Sequence, residues 1–335
     1  MELCVRMKML KFIETKTCIF LCLTVLISCS KGDNDGPGGL GSGTIFFQTT
    51  SDLKTIRPDG SNEKELHHDA DGENGYSVTL DQQAFVTFES TLYDDGWVYI
   101  RNLGNNQIIQ QIAWSNIGNA GEFRRFEDQP SISPNGNWVI ARAGWPIIEE
   151  YVNIVSRSSG TSVYWYDSDS MPAYAWTPAS DLVYARGASN NWQIRLVSAS
   201  GIAVNQQSPT TLATLSGTNP PEHFNVSADG KHLAFIQNGR LFTMPLTEQA
   251  QARQVAHAGH DLRYPVFSPD GARIALVRHE FSGGYLGGEG WGTLHIVPAH
   301  GEASVDVLPE GRYMVRKPGG QEGIIAKRIL AWASK

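Results

Sequence analysis

The stretch YPVFSPDGARIALV, Tyr264 to Val277, holds a short apolar run, a Ser-Pro-Asp-Gly turn and a second apolar run. Proline fixes φ at the first turn position, aspartate bonds its own backbone and glycine accepts positive φ, so the pattern sets two strands antiparallel around a tight corner. It recurs as PSISPNGNWVIAR (Pro130 to Arg142) and FNVSADGKHLAFI (Phe224 to Ile236), and in degenerate form as YSVTLDQQAFVTF (Tyr76 to Phe88) and YAWTPASDLVYAR (Tyr174 to Arg186). MVRKPGGQEGIIAKR, Met314 to Arg328, is a weaker sixth copy. With Asp81, Asn135, Ala179, Asp229, Asp270 and Gly319 as turn positions, the copies lie 54, 44, 50, 41 and 49 residues apart.

From Thr44 onward, short runs rich in Val, Ile, Phe, Tyr and Trp alternate with Gly, Asn, Asp, Ser and Pro, and no helical period of apolar residues is sustained. The chain is therefore expected to be all-β. After each corner the order is a second strand, a loop, a third strand, a hairpin such as NLGNN (Asn102 to Asn106), SRSSG (Ser156 to Gly160) or SASG (Ser198 to Gly201), and a fourth strand. Four strands per unit of this length make the blade of a β-propeller.

The corners Ser268-Pro269-Asp270-Gly271 and Ser133-Pro134-Asn135-Gly136, each followed by a short apolar strand, resemble the repeat of TolB-like six-bladed propellers. IRPDGSNEKEL, Ile56 to Leu66, is similar to the hairpin that closes a blade in that family. The resemblance runs from Thr44 to about Trp332 and implies six four-stranded blades. It implies a fold rather than an activity, and no counterpart of the separate N-terminal domain of the family's best-known member is expected. The N-terminal strands precede any corner and the last copy lacks the residues for a whole blade, so the two ends are expected to share one blade and close the ring.

The N-terminus is laid out as an export signal, residues 1–28: Arg6, Lys8, Lys11 and Lys16 precede the apolar run CIFLCLTVLIS. Leu26-Ile27-Ser28-Cys29 resembles a bacterial lipobox, which implies cleavage before Cys29 and acylation of that residue. Several acyl chains at roughly 0.8 kcal/mol per buried methylene hold a protein firmly to a membrane. SKGDNDGPGGLGSG, Ser30 to Gly43, reads as a polar Gly-rich tether, with the propeller spanning 44–335. Ser30 after the cysteine resembles lipoproteins sorted to the outer membrane, and Met7 or Met9 is an alternative start. All four cysteines fall within the first 29 residues, so no disulfide framework is expected in the folded part.

The formal net charge is −7 and the basic residues are scattered, which argues against a nucleic-acid partner. No Gly-x-Ser-x-Gly elbow and no phosphate-binding glycine pattern occurs, so no catalytic residue, cofactor or metal is assigned. HHDADGENG, His67 to Gly75, brings carboxylates together but lacks the distal Glu of a calcium loop and reads as a solvated loop between blades. HAGHDLRY, His257 to Tyr264, together with His223, puts imidazoles just before innermost strands, similar to the histidine cluster of the metal-dependent oligogalacturonate lyases. That leaves a metal-dependent lyase or lactonase-type enzyme as the alternative. The leading expectation is a non-catalytic binding or scaffold module of the cell envelope. Its ligand, a protein or an oligosaccharide, would meet one propeller face carrying His223, His260, Arg263, Tyr264, Trp145, Tyr285 and Trp291.

Overall fold

A computed structural model describes residues 40–68, 75–79, 81, 83–90, 96–113, 125–126, 130–145, 149–158, 162–165, 173–203, 209–280, 290–301 and 303–334. The signal segment, Cys29, residues 30–39, the acidic part of HHDADGENG and Tyr285 lie outside these residues, as does the Trp145 side chain.

The chain opens with β1 (Thr44–Gln48), β2 (Asp52–Ile56) and β3 (Lys64–His68). The first complete blade is β4 (Tyr76–Val78), β5 (Ala84–Ser90), β6 (Gly96–Asn102) and β7 (Ile108–Ala113). In the second, β8 (Arg125–Phe126) and β9 (Ser131–Ile132) both pair with β10 (Trp138–Trp145), followed by β11 (Glu149–Ser156) and β12 (Ser162–Trp165). The third holds β13 (Tyr174–Trp176), β14 (Leu182–Ala188), β15 (Asn191–Val197) and β16 (Thr210–Leu215), with SASG opening the one-turn helix α1 (Ala199–Ala203) instead of the expected hairpin. The fourth is β17 (Glu222–Val226), β18 (His232–Gln237), β19 (Arg240–Pro245) and β20 (Arg253–His257). The fifth begins with β21 (Leu262–Phe267), β22 (Arg273–His279) and β23 (Gly292–Pro298). Three short strands end the chain: β24 (Val305–Asp306), β25 (Ile325–Ala326) and β26 (Arg328–Ala333).

The expected closure is present. β26 pairs antiparallel with β1 to give a sheet in the order β26-β1-β2-β3, with the C-terminal strand innermost and the N-terminal strands outside it. Innermost strands then follow one another around the axis: β26 neighbours β4, β4 neighbours β9, β13 neighbours β17, β17 neighbours β21 and β21 neighbours β26. The last corner copy is corrected by this arrangement. Residues 314–326 form the outer edge of the fifth blade, where Met314 bridges His295, Arg316 bridges Gly323 and β25 pairs with β23. Lys317-Pro318-Gly319 still makes a turn, with Gly319 at φ 74°, but it is a hairpin turn and not a blade corner.

Four of the five true corners share one set of bonds. In the fifth blade, Ser268 Oγ donates to Asp270 Oδ1 at 2.6 Å, Ala272 N–H donates to the same oxygen at 3.0 Å, and Arg273 N–H donates to Ser268 Oγ at 2.9 Å. Thr79–Asp81, Ser133–Asn135 and Ser227–Asp229 repeat this arrangement. The third corner has Ala179 at the acidic position and keeps only the bond from Asp181 N–H to Thr177 Oγ1. Gly271 at φ 70° meets no atom within 4 Å of an added Cβ, so its role is backbone conformation alone.

Side-chain alternation explains the continuous apolar runs after the corners. Ile274 and Leu276 of β22 pack toward the fourth blade with Ile236, Leu241 and Val255, while Ala275 and Val277 pack toward the closing blade with Ile45, Phe47 and Ile329. Both faces of β22 are thus buried in seams between blades, and a one-residue register slip would exchange the two sets. The chain leading into β1 is also built in. Ser42 accepts from Trp332 Nε1 at 2.8 Å, Leu40 packs on the closing seam, and a Cβ on Gly43 would lie 1.9 Å from Ala333 O.

Candidate functional site

Within the innermost strands, β17 and β21 carry the same irregularity. Two residues of β17 (His223 and Phe224) stand against one of β18, and two of β21 (Tyr264 and Pro265) stand against one of β22. The extra residue in each case sits four positions before the corner serine and has left-handed backbone, φ 53° at His223 and 52° at Tyr264. Neither is a residue type that adopts this conformation without cost, which is roughly 1–2 kcal/mol for an L-residue. Bulges re-aim side chains, and here they bring two rings from adjacent blades into contact, with centroids 4.1 Å apart. The guanidinium of Arg328, the buried first residue of β26, lies 5.4 Å from the centroid of the Tyr264 ring, which packs in part on the seam with the closing blade. Three consecutive blades therefore bring His223, Tyr264 and Arg328 together at the end of the propeller where the innermost strands begin.

The other expected residues distribute around the same end. Arg263 Nη2 is 3.7 Å from Asp261 Oδ2, and His260 is exposed on the loop before β21. Trp291, 46% exposed, stands beside this loop because Glu280 N–H donates to its carbonyl and His279 N–H donates to Asp261 O. The backbone of Trp145 ends β10 at the equivalent edge of the second blade, opposite Glu149. His223 and Tyr264 are brought into contact, whereas Trp291, His260 and Arg263 share their end of the propeller.

The histidines read as possible ligands go to different places. His257 lies on β20, the outer strand of the fourth blade, where Nδ1 is 3.1 Å from Ser304 Oγ, and it does not reach the channel. His68 Nδ1 is 2.6 Å from Asp52 Oδ1, and His67 packs on Tyr76 and Phe85 while bonding Asn106. Among the described residues no group of three or more His, Cys, Asp or Glu side chains is placed to hold a metal.

Beneath this end, on the side of the fifth blade that faces the fourth, runs a buried polar chain that sequence reading did not find. Arg278 Nη1 donates to Glu280 Oε1 at 2.9 Å, Thr293 Oγ1 donates to the same oxygen at 3.1 Å, and His295 Nε2 is 2.9 Å from Thr293 Oγ1. Burial first, then the charges of Arg278 and Arg316, pushes the His295 imidazole down to about 3, so it is neutral. The only sequence signal was alternation: Arg278 and Glu280, like Thr293 and His295, are spaced two apart on neighbouring strands and so share a face.

No protein-family model matches the sequence, and neither does any curated protein. Solved structures do. TolB from Acinetobacter baumannii superposes with a TM-score of 0.55 at 14% identity, over 88% of this chain and 68% of that one. A protein described as TolB from Agrobacterium tumefaciens superposes with a TM-score of 0.53 at 11% identity, over 77% of this chain and 86% of that one. At these identities the likeness establishes the fold, a TolB-like six-bladed β-propeller.

Proposed function

We propose that this chain, a TolB-like propeller by fold, is a lipid-anchored binding module of the cell envelope. Its ligand, a peptide tail or an oligosaccharide, docks at the channel mouth around His223 and Tyr264. The observation that carries the reading is the repeated bulge: two adjacent blades hold an aromatic or imidazole ring in left-handed backbone at the same position, and the two rings meet. A strained conformation kept twice is better accounted for by what the side chains touch than by the stability of the strands. A mouth lined by imidazole, phenol and guanidinium groups suits an extended polar ligand, with Trp291 at the rim as an apolar anchor. The lipobox-like Leu26-Ile27-Ser28-Cys29 supports anchoring at the outer membrane through Cys29, with residues 30–39 as the tether.

The test uses the backbone itself. Glycine tolerates φ near 53°, so His223→Gly removes the ring while relieving about 1 kcal/mol of backbone strain, and the fold should survive. A partner recovered from envelope extracts should then bind His223→Gly and Trp291→Ala at least tenfold more weakly than wild type at unchanged melting temperature. Unchanged binding by both variants would remove the mouth from the account.

A further inference from the structure

Between β23 and β25 the chain leaves the fifth blade, crosses to the fourth and returns. β24 adds to the outer edge of β20 as the one parallel pair among the described sheets. Two side chains of the fourth blade hold this strap, Arg253 donating to Gly301 O and Gln254 Nε2 donating to Ser304 Oγ at 2.9 Å, and the strap's own Val307 N–H donates to the backbone carbonyl of His257 at 2.8 Å. At the start of the strap is His300. Its ring makes an edge contact with that of His232, the first residue of β18, with centroids 5.3 Å apart and planes at 63°.

We propose that His232 and His300 bind a transition-metal ion, of the zinc, nickel or copper class, that locks the strap of the fifth blade onto the fourth. Two imidazoles that share one ion at ~2.0–2.1 Å and about the tetrahedral angle would have ring centroids roughly 5 Å apart, and the 5.3 Å separation here matches that requirement. Neither ring has a hydrogen bond to a described residue to compete with the metal. Imidazole pairs suit these ions, whereas calcium and magnesium require oxygen donors. Asp229 Oδ1 accepts from Ser227 Oγ at 2.6 Å and Lys231 N–H at 3.1 Å, and the two imidazoles are the protein ligands. His232 immediately follows the fourth corner, which puts this site at the opposite end of the propeller from His223 and Tyr264 and makes it independent of ligand binding there.

Untagged full chain in detergent, stripped with chelator and titrated with zinc or copper alone, tests the proposal by calorimetry and by limited proteolysis of the strap. Wild type should bind one equivalent with sub-millimolar affinity, copper more tightly than zinc, and the strap should be cut more slowly when the metal is bound. His300→Ala, on an exposed bend, should weaken binding at least tenfold and abolish the protection, while His260→Ala should leave both unchanged. Wild-type affinity in His300→Ala, or no binding by wild type, would overturn the proposal.

Discussion

Acidification should destabilise this propeller partly through one enclosed imidazole. His295 is 0% exposed, and its Nδ1 has no hydrogen-bond partner. Thr293 donates to Glu280, so the His295 Nε2–H donates to Thr293 and the unprotonated nitrogen is the buried Nδ1. Burial, and after it the charges of Arg278 and Arg316, oppose protonation there and push the folded imidazole down to about 3. An unfolded histidine titrates near 6.5, so as pH falls below that value the unfolded chain takes up a proton that the folded chain refuses. Stability from this group is complete above about pH 6.5 and is lost progressively toward pH 3. Each pH unit is worth about 1.4 kcal/mol per proton, so between about pH 7.5 and pH 5 the loss is about 2 kcal/mol. The result holds for any folded value well below 5, because the folded ring then stays neutral throughout the interval. His295→Gln keeps a hydrogen-bonding side chain toward Thr293 but does not titrate. Urea unfolding at the two pH values should show wild type losing about 2 kcal/mol more than the variant, since the remaining histidines and carboxylates contribute equally to both. Parallel losses in the two proteins would refute the assignment of His295 as a buried neutral base.

Three further outcomes follow from the anchor and the ring closure. Cys29→Ser should release the protein from the membrane fraction in soluble form, and a variant that stays membrane-bound and unprocessed would contradict lipidation at that residue. Deleting 44–66 removes Ile45, Phe47, Leu53 and Ile56, all at most 1% exposed, which at 1.5–3 kcal/mol each amounts to about 6–12 kcal/mol, comparable with the whole stability of a domain. The product should aggregate or unfold. Deleting 30–39 should leave the melting temperature unchanged, whereas extending the deletion through Gly43 should lower it, because Leu40 and Ser42 pack on the closing blade.

Much of this architecture was legible because the blade corner depends on local chemistry. A serine or threonine, an aspartate or asparagine two residues on and a glycine after it form the same bonds wherever they stand, so the corners at Ser133, Ser227 and Ser268 could be read directly. The same locality misled at Gly319, where proline and glycine make a turn of similar chemistry inside an outer hairpin, and only the pairing of β26 with β1 shows where the last blade begins. Non-local features left no local trace. Ser304 gives no sign that its segment docks on a preceding blade, and His257 was placed near the channel although its strand is the outer one. At the mouth, His223 and Tyr264 stood out by residue type, but the bulge that joins them depends on register against β18 and β22. Arg328 was hidden within the misread last copy.

Site-directed photo-crosslinking in intact cells tests the binding account most directly, with the photoreactive residue placed at Tyr264 in one strain and at Asp270, on the opposite end of the same blade, in another. The account predicts a discrete adduct from Tyr264 that disappears with His223→Gly, and none from Asp270. An adduct from Asp270 with none from Tyr264 would contradict it, because the partner would then sit on the corner face rather than at the channel mouth.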